Sequence, residues 1–77
     1  MAMDKLRLLL HAKYSLVHVP SDSKIRMWIH RTKANIRGGM APEPAGLLAM
    51  KEILPYEAKE RRIHEGPTVA ELLEMAG

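Results

Sequence analysis

Apolar side chains recur every three or four positions near the start of the chain. Met3, Leu6, Leu9 and Leu10 fall on one side of a helix when residues 4–13 are wound at 3.6 residues per turn. An acid lies in the first turn of this segment and a base in the last, which suits the helix dipole. The pattern predicts a short amphipathic helix.

Residues 14–37 fit two patterns. The run from Leu16 to Val19 is rich in β-branched residues and ends at Pro20, which predicts a short strand. Residues 24–37 place apolar side chains on one helical face, with Ser21, Asp22 or Ser23 as the N-cap and Gly38 as the left-handed stop. That face contains Ile25, Trp28, Ile29, Thr32 and Ile36.

The alternative for the same residues is a strand that folds back on residues 14–19, giving a hairpin over 14–31. We favour the helix, because Thr32 and Ile36 extend the apolar helical face and the glycine pair Gly38-Gly39 ends it.

The second half of the chain alternates breakers with short helical segments. Residues 38–46 are rich in glycine and proline and predict a linker. Helices are expected over Leu47–Leu54 and Tyr56–His64, with Pro55 between them. Thr68 and Glu71 have the spacing of a capping box, which opens a last helix. Its inward residues are Val69, Leu72, Leu73 and Ala76.

These elements predict a mainly α protein: a single small domain over residues 1–77, with three to five short helices and a short strand near 15–19. The α+β hairpin form over 14–31 is the alternative. At 77 residues the chain buries a modest core, so self-association into a homo-oligomer is an option.

Composition excludes several classes of protein. The sequence has no cysteine, which excludes disulfides, thiolate zinc sites and cysteine nucleophiles. No apolar run approaches the ~20 residues that a bilayer-spanning helix needs, and no signal-peptide pattern is present. We therefore expect a cytoplasmic protein with no membrane partner.

Charge divides the chain. Residues 1–40 hold eight Lys and Arg against two acids, a net charge of +6, whereas residues 41–77 hold four against seven, a net charge of −3. Three parts follow: a basic half over 1–37, the linker over 38–46 and an acidic helical half over 47–77. A basic surface suits a polyanion or an acidic protein.

Catalytic and metal-binding patterns are missing from the sequence. No two of the four histidines, His11, His18, His30 and His64, are spaced i,i+4 as in a helical metal site. No serine lies in a nucleophile motif, and Gly38-Gly39 is not followed by the Lys-Ser/Thr of a phosphate-binding loop. We expect no enzyme activity, no cofactor and no metal.

The basic segment around Trp28 carries the functional signal, because it contains no acid from residue 24 to residue 37. Basic side chains neutralise phosphates, and an aromatic among them can stack on bases. Trp28 has a second interpretation, as the main anchor of the core. The predicted contact residues are Lys24, Arg26, Trp28, His30, Arg31, Lys33 and Arg37.

Residues 23–29 also resemble the recognition helix of small helix-turn-helix regulators. The resemblance covers seven residues, and the strand predicted before them departs from that pattern, so no residue role is carried over.

Two functions remain open from the sequence. The first is a small non-catalytic regulatory protein that binds nucleic acid through this basic face. The second is an adaptor or inhibitor that binds a larger, acidic-surfaced protein, such as a transcription or replication complex.

Overall fold

The computed structural model describes residues 3–56 and 66–76. It contains four helices within these ranges, α1 (Met3–Lys13), α2 (Asp22–Arg37), α3 (Pro42–Ile53) and α4 (Val69–Ala76). The mainly α prediction is confirmed. The predicted helix over Tyr56–His64 lies outside the described residues except for Tyr56, which is in a turn. No described helix has the length and apolarity needed to cross a bilayer.

The basic segment is a helix rather than a strand, so the favoured alternative is confirmed and the hairpin over 14–31 is wrong. The Ser21 hydroxyl caps α2 by accepting the Lys24 N–H at 3.3 Å. At the other end Gly39, not the predicted Gly38, takes the left-handed conformation, with φ 109°. The Met40 N–H then reaches back to the Asn35 carbonyl at 3.1 Å, which closes the helix.

The strand predicted near 15–19 is wrong, because these residues end α1 instead. Ser15 adopts φ 51°, and the Leu16 N–H donates to the His11 carbonyl at 3.1 Å, as in a Schellman motif. Leu16 is buried, whereas Val17 and Val19 are exposed. Within the described ranges no strand is available to pair with this segment. The connection over 14–21 also exceeds the three- or four-residue turn of a helix-turn-helix.

Helix α3 begins five residues before the predicted start at Leu47. Ala41 is its N-cap, and Pro42 and Pro44 lie in the first turn. Proline is tolerated there because first-turn N–H groups have no partner inside the helix. Part of the predicted linker is therefore helical, and the connection between α2 and α3 shortens to residues 38–41.

The capping box of α4 forms as predicted. The Glu71 N–H donates to the Thr68 hydroxyl at 3.2 Å, and the Thr68 N–H donates to the Glu71 carboxylate at 3.2 Å. Val69 and Leu72 are fully buried, as the sequence indicates.

The core lies where all four helices meet, and α2 and α3 share the largest interface. Trp28 is its largest buried side chain, and its ring meets that of Tyr14 edge to face at 6.4 Å between centroids. The other members of the cluster are aliphatic apart from Met50: Leu6, Leu10, Leu16, Ile25, Ala49, Ile53, Val69 and Leu72.

Gly46 lets α3 approach its neighbours closely. A Cβ at this position would lie 2.7 Å from both the Tyr14 hydroxyl and Val69 Cγ2. Its carbonyl accepts the Trp28 indole N–H at 3.0 Å, and the neighbouring Ala45 carbonyl accepts the Asn35 amide at 3.2 Å. Both bonds join a side chain of α2 to a backbone carbonyl of α3 and so help to hold the buried face of α2 against that helix.

Candidate nucleic-acid interface

The outer face of α2 carries a row of cations that comprises Arg26, Lys33 and Arg37. Because successive residues of an α-helix are about 100° apart, these three side chains leave the helix within roughly 40° of arc. All three are exposed, and no carboxylate in the described ranges pairs with them. We call this set the cation row. It spans twelve residues, or roughly 16 Å of helix.

Lys24 and Arg31 lie on the other flank of α2, where Arg31 contacts α3. Arg31 Nη1 is 3.3 Å from the Glu52 carboxylate, and both side chains are about half exposed. An exposed pair of this kind contributes little to stability, so the Arg31 charge is held loosely. The five Lys and Arg residues predicted from sequence thus divide into unequal groups on two flanks, and His30 lies between them.

Between the two flanks, α2 presents small or uncharged residues. Ser23, Met27 and Ala34 are exposed there, and His30 lies beside them next to the cation row. We call these four residues the crest. The crest lies opposite the buried face of Ile25, Trp28 and Thr32, so it is the part of α2 that projects farthest from the core. Of these four residues, the sequence predicts only His30 as a contact residue.

Trp28 does not belong to this surface. Its side chain is fully buried and its indole N–H is bonded to the Gly46 carbonyl. The prediction that it contributes a contact is wrong for this folded state, and the alternative, a core anchor, is what the structure shows. Its helical position decided this, since Trp28 shares a face with Ile25 and Thr32.

The nearest acid on α2 is already engaged by a base. Asp22 begins the helix and forms an ion pair and hydrogen bond with Arg7 of α1. Arg7 also lies 3.5 Å from Asp4. Asp22 is therefore paired with Arg7 rather than with Arg26, which lies one turn farther along α2.

A second polar cluster lies away from this face and has a structural role. Lys13 Nζ of α1 is 2.9 Å from Glu43 Oε1 of α3, and Glu43 Oε2 accepts the Val69 N–H at 2.6 Å. Burial, and then the negative charge of Glu43, raise the pKa of the Tyr14 phenol well above its usual value. Its hydroxyl has no hydrogen-bond partner in the described part of the chain.

The described residues contain no group of three or more histidine or carboxylate side chains placed to hold a metal ion. Comparisons with known protein families, with curated proteins and with solved structures give no match to the chain.

Proposed function

We propose that the protein is a small, non-catalytic regulatory protein that binds nucleic acid through the exposed face of α2. One observation carries the proposal: the cation row of Arg26, Lys33 and Arg37 faces solvent, and none of the three forms an ion pair with a carboxylate in the described ranges. Three cations held on one rigid helix repel one another, and a polyanion removes that repulsion.

Phosphate backbones supply such a polyanion. Duplex DNA carries one negative charge per about 1.7 Å of axis, so a row of roughly 16 Å faces several phosphates. Each phosphate neutralised by a cation releases condensed counterions. Affinity should therefore fall linearly with the logarithm of salt concentration, by a slope of about 0.9 per phosphate contact.

Charge reversal on the cation row should weaken the binding of DNA. In Arg26→Glu with Lys33→Glu, we expect affinity for a fluorescent DNA duplex to fall at least about tenfold, with a shallower salt slope. Fluorescence anisotropy between about 50 and 200 mM salt measures both.

The matched control is Lys5→Glu with Lys51→Glu. Both lysines are exposed, on α1 and α3, and the change in net charge is the same. The control should keep most of the affinity. If both double variants lost affinity equally, or if wild-type binding did not depend on salt, the α2 surface would not be the binding site.

If the purified protein does not bind nucleic acid, the adaptor or inhibitor function is the alternative. A protein partner that stays bound after nuclease treatment, with no affinity of the purified protein for duplex or single strands, would replace nucleic-acid binding. We propose a cytoplasmic location with either function.

A further inference from the structure

We propose that the partner is double-helical, and that α2 enters the major groove with its crest toward the base edges and its two basic flanks toward the two phosphate strands. This inference rests on the proposed function and names the partner of the same surface.

The exposed half of α2 is continuous, and its crest lies between two basic flanks. Every residue that leaves the helix over about 180° of arc is exposed. In order around the helix these are Asp22, Lys33, Arg26, Arg37, His30, Ser23, Ala34, Met27 and Arg31. Positive charge lies toward both edges of this arc, and the middle is small or uncharged.

A major groove has the matching arrangement. It is about 12 Å wide and admits one α-helix, whose diameter with side chains is about 10–12 Å. Its floor displays base edges and thymine methyl groups, which suit the apolar Met27 and Ala34 and the hydrogen-bonding His30. Its rims are the two phosphate strands, which suit flanking cations. A crest of roughly 16 Å covers about five base pairs.

Single strands are a poorer match because their binding relies on stacking against exposed aromatic side chains. The sequence has three aromatics, and two of them, Tyr14 and Trp28, are buried in the core. Tyr56 is exposed but lies beyond the end of α3. The α2 face therefore offers charge and shape without a stacking surface.

The two flanks differ in strength, and this difference provides a test. The cation row has no carboxylate partner in the described ranges, whereas Arg31 is paired with Glu52 across the α2–α3 interface. If the α3-side flank meets a phosphate strand, Arg31 must exchange the Glu52 carboxylate for a phosphate. Removing the Glu52 charge favours that exchange.

The experiment compares a mixed-sequence DNA duplex of about 20 base pairs, roughly two helical turns, with a single strand of the same sequence. We expect the duplex to bind at least about tenfold more tightly at equal salt. Ala34→Tyr adds a ring to the crest and leaves every charge in place. It should weaken duplex binding at least about tenfold, since the ring occupies the space of the groove floor.

Glu52→Gln is the complementary variant. It should tighten duplex binding and steepen the salt slope by up to about 0.9, the value of one further phosphate contact. Circular dichroism and thermal unfolding show whether each variant remains folded, and Glu52→Gln keeps the test valid if Ala34→Tyr does not fold.

The outcomes separate this inference from the proposed function. Equal affinity for duplex and single strand, or duplex binding that Ala34→Tyr leaves unchanged or improves, overturns groove insertion and leaves nucleic-acid binding intact. Failure of the wild-type protein to bind either probe at low salt overturns both. A Glu52→Gln variant with unchanged affinity and slope shows that the α3-side flank does not reach a phosphate strand, and this also overturns the two-strand arrangement.

Discussion

Single residues show most clearly where a side chain's type and its position compete. Trp28 among cations suggests base stacking, yet its spacing from Ile25 and Thr32 places it in the core. Because this spacing can be seen in the sequence, the burial of Trp28 was predictable. A core anchor was one of the two interpretations of Trp28, and a nucleic-acid contact was the other. The left-handed Ser15 was not predictable, because serine gives no signal of a positive φ comparable to that of glycine.

Tyr14 gives the molecule a sensitivity to alkaline pH. Its phenol pKa is raised by burial and by Glu43, so the folded state keeps a proton that the unfolded state loses above about pH 10. The stability that the protonated Tyr14 phenol contributes is complete below about pH 10. Above that pH the free energy of unfolding declines, by up to about 1.4 kcal/mol per pH unit.

We therefore expect Tyr14→Phe to unfold with a weaker dependence on pH than wild type between about pH 10 and 11. At pH 7 it should be as stable as wild type or up to about 1 kcal/mol more stable, because the hydroxyl it removes is buried without a partner. Urea unfolding at each pH measures both. Tyr56→Phe, at a side chain that is 97 % exposed, should behave as wild type. Parallel pH curves for wild type and Tyr14→Phe would contradict this account.

At the scale of elements, the sequence predicted helices better than their ends. The apolar faces of α1, α2 and α4 were readable because each repeats at helical spacing, and the capping box fixed the start of α4. The predicted start of α3 is wrong because Pro42 and Pro44 indicate a linker in the sequence, although the first turn of a helix tolerates them. The strand was misplaced because Val17 and Val19 have strand propensity but no partner among the described residues.

The two Schellman ends permit a paired prediction. Ser15→Gly should raise the free energy of unfolding by about 0.5–1 kcal/mol, since glycine adopts φ 51° without the steric cost of a Cβ. Gly39→Ala should lower it by about 1 kcal/mol or more, because φ 109° disfavours any residue with a side chain.

Chemical denaturation measures both changes, and Ser15→Ala is the control, because it keeps a Cβ and should not gain stability. Stabilisation of Ser15→Ala equal to that of Ser15→Gly would show that the backbone conformation is not the cause.

At the scale of the whole molecule, acidic side chains of the second half of the sequence form ion pairs with basic side chains of the first half. Glu43 and Glu52 of α3 pair with Lys13 of α1 and Arg31 of α2. The sequence predicted the sign of each half but not these pairings, since they depend on how the helices pack. Glu43 of α3 joins two further helices, because it binds α1 through Lys13 and α4 through the Val69 N–H.

Glu43→Gln should therefore loosen the attachment of α4. We expect a loss of about 1–2 kcal/mol in the free energy of unfolding, because the Lys13 ammonium, 10 % exposed, loses its counter-charge and the Val69 N–H loses a charged acceptor. Amide hydrogen exchange should accelerate most at the start of α4.

Glu52→Gln is the matched control for this change, since it removes a carboxylate of similar exposure from the same helix. It should change the free energy of unfolding by less than about 0.5 kcal/mol. Equal losses in the free energy of unfolding for the two substitutions would show that the contacts of Glu43 with α1 and α4 stabilise the fold no more than the exposed Arg31–Glu52 pair.

The hydrogen bond between the Trp28 indole and the Gly46 carbonyl also has a spectroscopic consequence. Trp28 is the sole tryptophan, it is buried where the helices meet, and it points away from the crest of α2. Its emission should therefore be blue-shifted in the folded protein and move to the red when the core opens, with little response to a ligand on the outer face. The chain thus contains its own optical reporter of folding, and each surface variant can be checked for an intact core in the cuvette used to measure its binding.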